Sequence, residues 1–194
     1  MSYTSRLFQR EIKDAFERRF GPVLEENIPN EILRLPENNP LIKDEKQMVM
    51  EPLYSPTSDV AVGPFSFSEG NLNRLYRHLA SLEDIRGFIT AMQESGLGDG
   101  YNEHLLELNQ NPRCFISVEV ENSTARDVKH LLGSVTNCSL LAKVGIVIVF
   151  DEYIEYAKRL ISYLAFVKRV KKTDKELFRN VFVLSKTAFE EIVP

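Results

Sequence analysis

Tryptophan is absent from this 194-residue chain, and cysteine occurs only twice, at Cys114 and Cys138, 24 positions apart. With no CxxC pair, neither a disulfide scaffold nor a zinc knuckle is expected, and a reducing compartment fits best. Long apolar runs are missing too. The longest has seven residues, Val144 to Phe150, against roughly 20 needed to cross a bilayer. The first 20 residues carry charges throughout. A cytoplasmic protein without membrane span or secretory leader is therefore expected. Gly96, Gly98 and Gly100 follow no strand pattern and lack both GxGxxG and a P-loop lysine, which speaks against a nucleotide cradle. His78, His104 and His130 form no HExxH or HxH, and no GxSxG occurs, which removes the commonest zinc-protease and serine-hydrolase signatures.

What is present is an ordinary globular composition, 43% apolar and 27% charged, and a length suited to one domain over residues 1–194. Lysine and arginine total 24 against 28 acidic residues, a net charge of -4, so no uniformly basic nucleic-acid coat exists. The average hides one basic segment. Lys158 to Lys175 holds seven cations and a single anion, Asp174. Lys168, Arg169, Lys171 and Lys172 are its candidate phosphate contacts.

Periodicity outlines the fold. Phe8, Ile12, Ala15 and Phe16 recur at helical spacing over Ser5 to Phe20, and Gly21-Pro22 is expected to stop that helix. Glu11 falls between Leu7 and Ala15, inside the expected apolar arc. The proline- and asparagine-rich stretch Glu25 to Lys46 reads as a surface loop. Met48 to Leu53 and Asp59 to Phe67 read as a hairpin. Glu69 to Ser95 reads as two helices, with Ser81 to Asp84 as a capping box between them, and Tyr101 to Asn109 as further helix. In Cys114 to Glu121, Cys114, Ile116, Val118 and Val120 alternate with Phe115, Ser117, Glu119 and Glu121, so one face is apolar and the other presents two carboxylates. Thr124 and Asp127 can cap the next helix, to about Ala142, and Val144 to Phe150 has the unbroken apolarity of a central strand. A strand, helix, strand order of this kind implies a parallel crossover. A long helix from Tyr153 to about Lys171, a strand at Val181 to Leu184 and a short helix at Thr187 to Ile192 complete the chain. Tyr153, Tyr156 and Tyr163 fit core packing better than base stacking.

Three carboxylates have the chemistry of a hard-cation site. Asp59 opens a strand on which it shares a face with the small Ala61 and Gly63, and Glu119 and Glu121 share a face two residues apart. If the two strands are neighbours, these groups and the carbonyl of Val120 can converge on one Mg2+.

The stretch Ser58-Asp59-Val60-Ala61-Val62-Gly63, followed by Phe115-Ile116-Ser117-Val118-Glu119-Val120-Glu121-Asn122-Ser123, resembles the two acidic motifs of the PD-(D/E)XK nuclease superfamily. In that superfamily an acid on a hairpin strand precedes a strand bearing (D/E)-X-K. The resemblance covers roughly Met48 to Phe150, and Glu11 matches an additional acidic position that many members place on their first helix. It implies an α/β fold with a mixed central sheet flanked by helices, a restriction-endonuclease-like core. The 60 positions from Asp59 to Glu119 then contain a helical insertion at about 69–110. It also implies a Mg2+- or Mn2+-dependent DNA endonuclease of restriction or defence type. Asp59, Glu119 and Val120 would be metal ligands. Glu121 stands in the usual lysine position and would orient the water, with Lys129 as a displaced lysine. Cleavage of both strands would suit a homodimer. The alternative is a nuclease-fold interaction module that has lost catalysis along with the lysine.

Overall fold

Phe8, Ile12, Phe16, Phe20, Leu24 and Ile28 recur every fourth residue, and all six are buried in one core. That stripe explains why helix α1 (Tyr3–Asn27) runs through Pro22 instead of stopping at Gly21-Pro22. A proline inside a helix costs about 3 kcal/mol. Full burial of Leu24 and Ile28 repays roughly 1.5–3 kcal/mol each. The computed structural model describes residues 3–44, 57–67, 70–97, 109–122, 127–172 and 178–193.

The stretch expected as a loop after α1 contains a short helix α2 (Asn30–Leu33), a 3-10 turn at Pro36–Asn38 and strand β1 (Ile42–Asp44). Asn38 anchors it. Its amide donates to the Ile32 carbonyl at 3.0 Å, and its Oδ1 accepts the Phe65 N–H. β2 is only Val60–Val62, and its antiparallel neighbour is β1, with Ile42 opposite Val62 and Asp44 opposite Val60. The expected strand at 48–53 lies outside the described residues, as do residues 101–108 of the helix expected over Tyr101 to Asn109.

Helices α3 (Asn73–Ser81) and α4 (Glu83–Ser95) lie in the segment read as an insertion. They are no appendage: Tyr76, Leu79, Ile85, Phe88 and Met92 are buried in the same core as the α1 stripe. The capping box does not form, because Ser81 Oγ donates backward to the His78 carbonyl and Leu82 occupies the cap position. β3 (Cys114–Glu121), α5 (Val128–Leu141) and β4 (Ala142–Val149) follow as expected, and β3 and β4 are parallel. Asp127 caps α5 by accepting the Lys129 N–H at 2.8 Å, whereas Thr124 lies outside the described residues. After one 3-10 turn, α6 (Ile154–Arg169) returns along the sheet to β5 (Val181–Ser185), and α7 (Lys186–Ile192) follows, capped by Ser185.

The result is an α/β fold with a five-stranded mixed sheet in the order β1-β2-β3-β4-β5. β1, β2 and β3 are antiparallel neighbours, and β3, β4 and β5 run parallel. Val60, Val62, Ile116, Val118, Ile146, Ile148, Phe182 and Leu184 pack one face against α1, α4 and α7. Val147, Val149, Val181 and Val183 pack the other against α5 and α6. Gly145 lets α5 approach: a Cβ there would stand 2.8 Å from Cys138 Cβ.

Candidate functional site

The site begins where β2 leaves β3. Val60 pairs with Val118 and Ala61 with Ser117, so continuing that register sets Asp59 opposite Glu119. Asp59 is 7% exposed, and its Oδ2 accepts the Val120 N–H at 2.7 Å. A carboxylate oxygen thus takes the place of the strand partner that β3 would otherwise need beyond Val60. Just before it, Ser58 Oγ and Ser117 Oγ share a buried hydrogen bond of 2.5 Å.

Glu119 and Glu121 continue the Ser117 face of β3, and side chains two apart on a strand share a face. This polar face is covered by α5. Among the eight residues of β3 only Glu119 is not fully buried. Glu121 is 7% exposed and accepts a hydrogen bond at Oε1 from Ser134 Oγ, on the second turn of α5. Glu119 faces the Cys138 thiol, whose pKa is raised first by burial and then by the Glu119 charge; Ser117 and the Ile146 backbone act in the opposite direction. Cys138 and Cys114 are both free and buried, and burial likewise raises the Cys114 thiol.

The fold thus brings Asp59, Glu119, Val120 and Glu121 to one end of the sheet. Val120 uses its N–H there, toward Asp59. The other expected members stand elsewhere. Glu11 is exposed on α1, whose buried stripe packs against the opposite face of the sheet. Leu7 is 46% exposed and does not belong to that stripe, so the inward arc is narrower than the sequence implied and excludes Glu11. Lys129 is exposed on the first turn of α5. It precedes Ser134 by five residues, which turns it about 140° away from the serine that meets Glu121.

Ser134, Ser58 and Ser117 are the site residues that the sequence reading missed. Ser134 carried a signal, a polar residue between the buried Leu131, Val135 and Cys138. Asp151 and Glu152, both exposed, follow β4 at the same end, and Asp151 Oδ2 accepts from Thr187 Oγ1 at 3.0 Å.

The basic segment lies at the other end. α6 starts beside the carboxyl ends of β3 and β4 and runs back for 16 residues, about 24 Å at 1.5 Å per residue. Arg169, Lys171 and Lys172 therefore sit, exposed, by the start of β5 and not beside the carboxylates. The Lys168 side chain lies outside the described residues. Near the start of α6, Lys158 pairs with Glu155 at 2.6 Å. Tyr153 and Tyr156 are half-buried, but Tyr163 is 58% exposed, contrary to the core role expected of it.

The donor chemistry is that of a hard divalent cation, all oxygen and anionic. Among the described residues, however, no three His, Cys, Asp or Glu side chains gather closely enough to hold an ion by themselves. Mg2+ does not demand such a cage, since it usually keeps several waters and takes one or two carboxylates plus substrate phosphates. Among the described residues, no helix is long and apolar enough to cross a membrane. No protein-family model, curated protein or solved structure matches the chain.

Proposed function

We propose that this chain is a Mg2+- or Mn2+-dependent nuclease that hydrolyses DNA phosphodiesters at the end of β3. The observation that carries the reading is the cross-strand placement of Asp59 opposite Glu119, with Glu121 two residues further on the same face. The order helix, antiparallel strands, helix, parallel strand, with α3 and α4 placed between β2 and β3, supports it, because that order accompanies the two acidic motifs in the PD-(D/E)XK superfamily. The position outside the carboxyl ends of parallel strands supports it as well, since ligands of open α/β sheets collect there.

Asp59 and Glu119 are the two carboxylates that would hold the cation. Bound there, it would supply Lewis acidity toward a phosphoryl oxygen and a more acidic water. The chain's own part is orientation. The Val120 N–H fixes Asp59, and Ser134 Oγ fixes Glu121, whose assigned role is to orient the attacking water. A second reading, a nuclease-fold interaction module without catalysis, draws on one observation: Glu121 is sequestered under α5 at the position where the superfamily carries lysine.

Cleavage of mixed DNA substrates with Mg2+ or Mn2+ separates the two. Wild type should cleave, Asp59→Asn should not, and Glu121→Gln should lose about 10²- to 10⁴-fold in rate. Glu121→Lys supplies the usual residue of the superfamily and need not destroy activity where the space beside Ser134 admits the longer cation. A wild type that cleaves no faster than both Asp59→Asn and Glu121→Gln removes the assignment. No cleavage by any of them, with correctly folded proteins, leaves the interaction module.

A further inference from the structure

Helix α6 carries an outward stripe that the core does not use. Its inner side buries Ala157 and Leu160 and partly buries Ile161 and Leu164 against α5. Its outer side presents Tyr163 at 58%, Phe166 at 49% and Val170 at 41% exposure. Cations accompany these rings. The Arg169 guanidinium lies 5.7 Å from the centre of Phe166, and Arg159 lies 5.7 Å from that of the half-buried Tyr156. Tyr156, Arg159, Tyr163 and Phe166 follow one another at spacings of three and four, which places them along a single line on the helix, and Val170, whose N–H meets the Phe166 carbonyl at 3.0 Å, follows just past its end. Arg169 closes the helix, and Lys171 and Lys172 lie exposed just beyond its end.

We propose that this outer face of α6 is a track for single-stranded DNA. The choice of DNA rests on the nuclease reading above. Charge argues for a polyanion: along α6 and its end the exposed cations Lys158, Arg159, Arg169, Lys171 and Lys172 stand with a single acid, Glu155, which pairs with Lys158, in a chain of net charge -4. A second copy fits badly. Twofold pairing of the same face would bring Arg159, Arg169, Lys171 and Lys172 of both copies together. A lipid surface would favour a continuous apolar face, whereas Arg159, Ser162 and Arg169 are exposed among the rings here. Exposed rings between cations suit unpaired bases, whose flat faces can stack while the phosphates meet the cations. A duplex hides those faces. The line begins at the end of the sheet where β3 and β4 finish, the end that carries Asp59 and Glu119, and runs the length of α6.

The test is binding of fluorescein-labelled oligo-dT, about 16 nucleotides long, to the full chain in EDTA, where metal-dependent cleavage is absent. The same strand in a duplex with oligo-dA is the comparison. The single strand should bind more tightly. Tyr163→Ala and Phe166→Ala should each weaken it roughly 5- to 150-fold, while Tyr163→Phe should restore it and all variants keep the wild-type melting temperature. Arg159→Glu with Arg169→Glu should flatten the salt dependence for both forms of DNA. Equal affinity for single strand and duplex, or affinity indifferent to both alanine substitutions, overturns the track. Self-association lost in Tyr163→Ala, or capture of phosphatidylserine vesicles in preference to oligo-dT, overturns it in favour of a second copy or a lipid surface. Aromatic-dependent binding without cleavage would keep the track and reject the nuclease. Cleavage without aromatic-dependent binding would do the reverse.

Discussion

Asp59 does two separable things: it carries a charge, and it accepts the buried Val120 N–H. Asparagine can keep the second while losing the first. Asp59→Asn should therefore cost less than about 1 kcal/mol, whereas Asp59→Ala leaves a buried donor unpaired and should cost about 1–3 kcal/mol. Urea unfolding of the two variants checks this, and it shows whether lost activity in Asp59→Asn reflects chemistry and not unfolding. The cysteines make a second residue-scale prediction. Both thiols are buried, and their raised pKa values disfavour the reactive thiolate, with the Glu119 charge adding to the effect at Cys138. A colourimetric thiol reagent should label neither in the native protein and both after unfolding. Rapid native labelling of Cys138 would mean that α5 does not cover β3 as described.

At the scale of elements, the packing of α5 on the sheet rests on small residues. A Cβ on Gly145 would meet Cys138 Cβ at 2.8 Å and Val181 Cγ2 at 2.9 Å, contacts that neither helix nor strand can relieve without moving. Gly145→Ala should cost about 1–3 kcal/mol through overpacking. In a protein of this size that lowers Tm by roughly 2–4 °C per kcal/mol. The end of α6 makes the opposite prediction. Lys171 has φ 57°, in the left-handed region, and the Lys172 N–H returns to the Val167 carbonyl at 3.0 Å. A helix ending of this shape favours glycine, and a side chain there costs roughly 1–2 kcal/mol. Lys171→Gly should raise Tm by a few degrees, part of the gain being lost to the freer unfolded chain. An unchanged or lower Tm by calorimetry would contradict the described geometry.

The whole molecule separates its charges along the sheet. Asp59, Glu119, Glu121, Asp151 and Glu152 lie toward the carboxyl ends of the parallel strands, and Arg169, Lys171 and Lys172 lie toward the start of β5. About 24 Å of helix separates the two, roughly seven steps of a DNA duplex at 3.4 Å each. On the proposed reading, a duplex phosphate at the basic end would therefore not be the one at the carboxylates. Charge reversal of Lys168, Arg169, Lys171 and Lys172 should weaken DNA binding regardless of sequence and reduce the salt slope by about 0.7–0.9 per lost contact. On the proposed reading, a divalent cation would act at the acidic end. At a hundredfold excess over Kd it should stabilise the fold by about 2.7 kcal/mol, seen as a Tm rise that Asp59→Asn abolishes. No rise with either Mg2+ or Mn2+ would argue against direct cation binding in the absence of substrate.

Local pattern alone determined the strands β3 and β4, the helix between them and the parallel crossover, because alternation, capping and an unbroken apolar run are all written within a few consecutive residues. The shared face of Glu119 and Glu121 was legible for the same reason. Other features depended on distant partners. Gly21-Pro22 carried the local mark of a helix end, yet Leu24 and Ile28 found a core to enter and α1 continued. β1 was hidden in a proline- and asparagine-rich stretch, since three residues hold no period and became a strand by pairing with β2. The polar face of β3 suggested solvent, but α5 covers it and Ser134 answers Glu121. Glu11 and the basic end of α6 show the same division. A sequence states which residues share a face, but which face is covered, and at which end of the sheet it lies, is decided by elements far away in the chain.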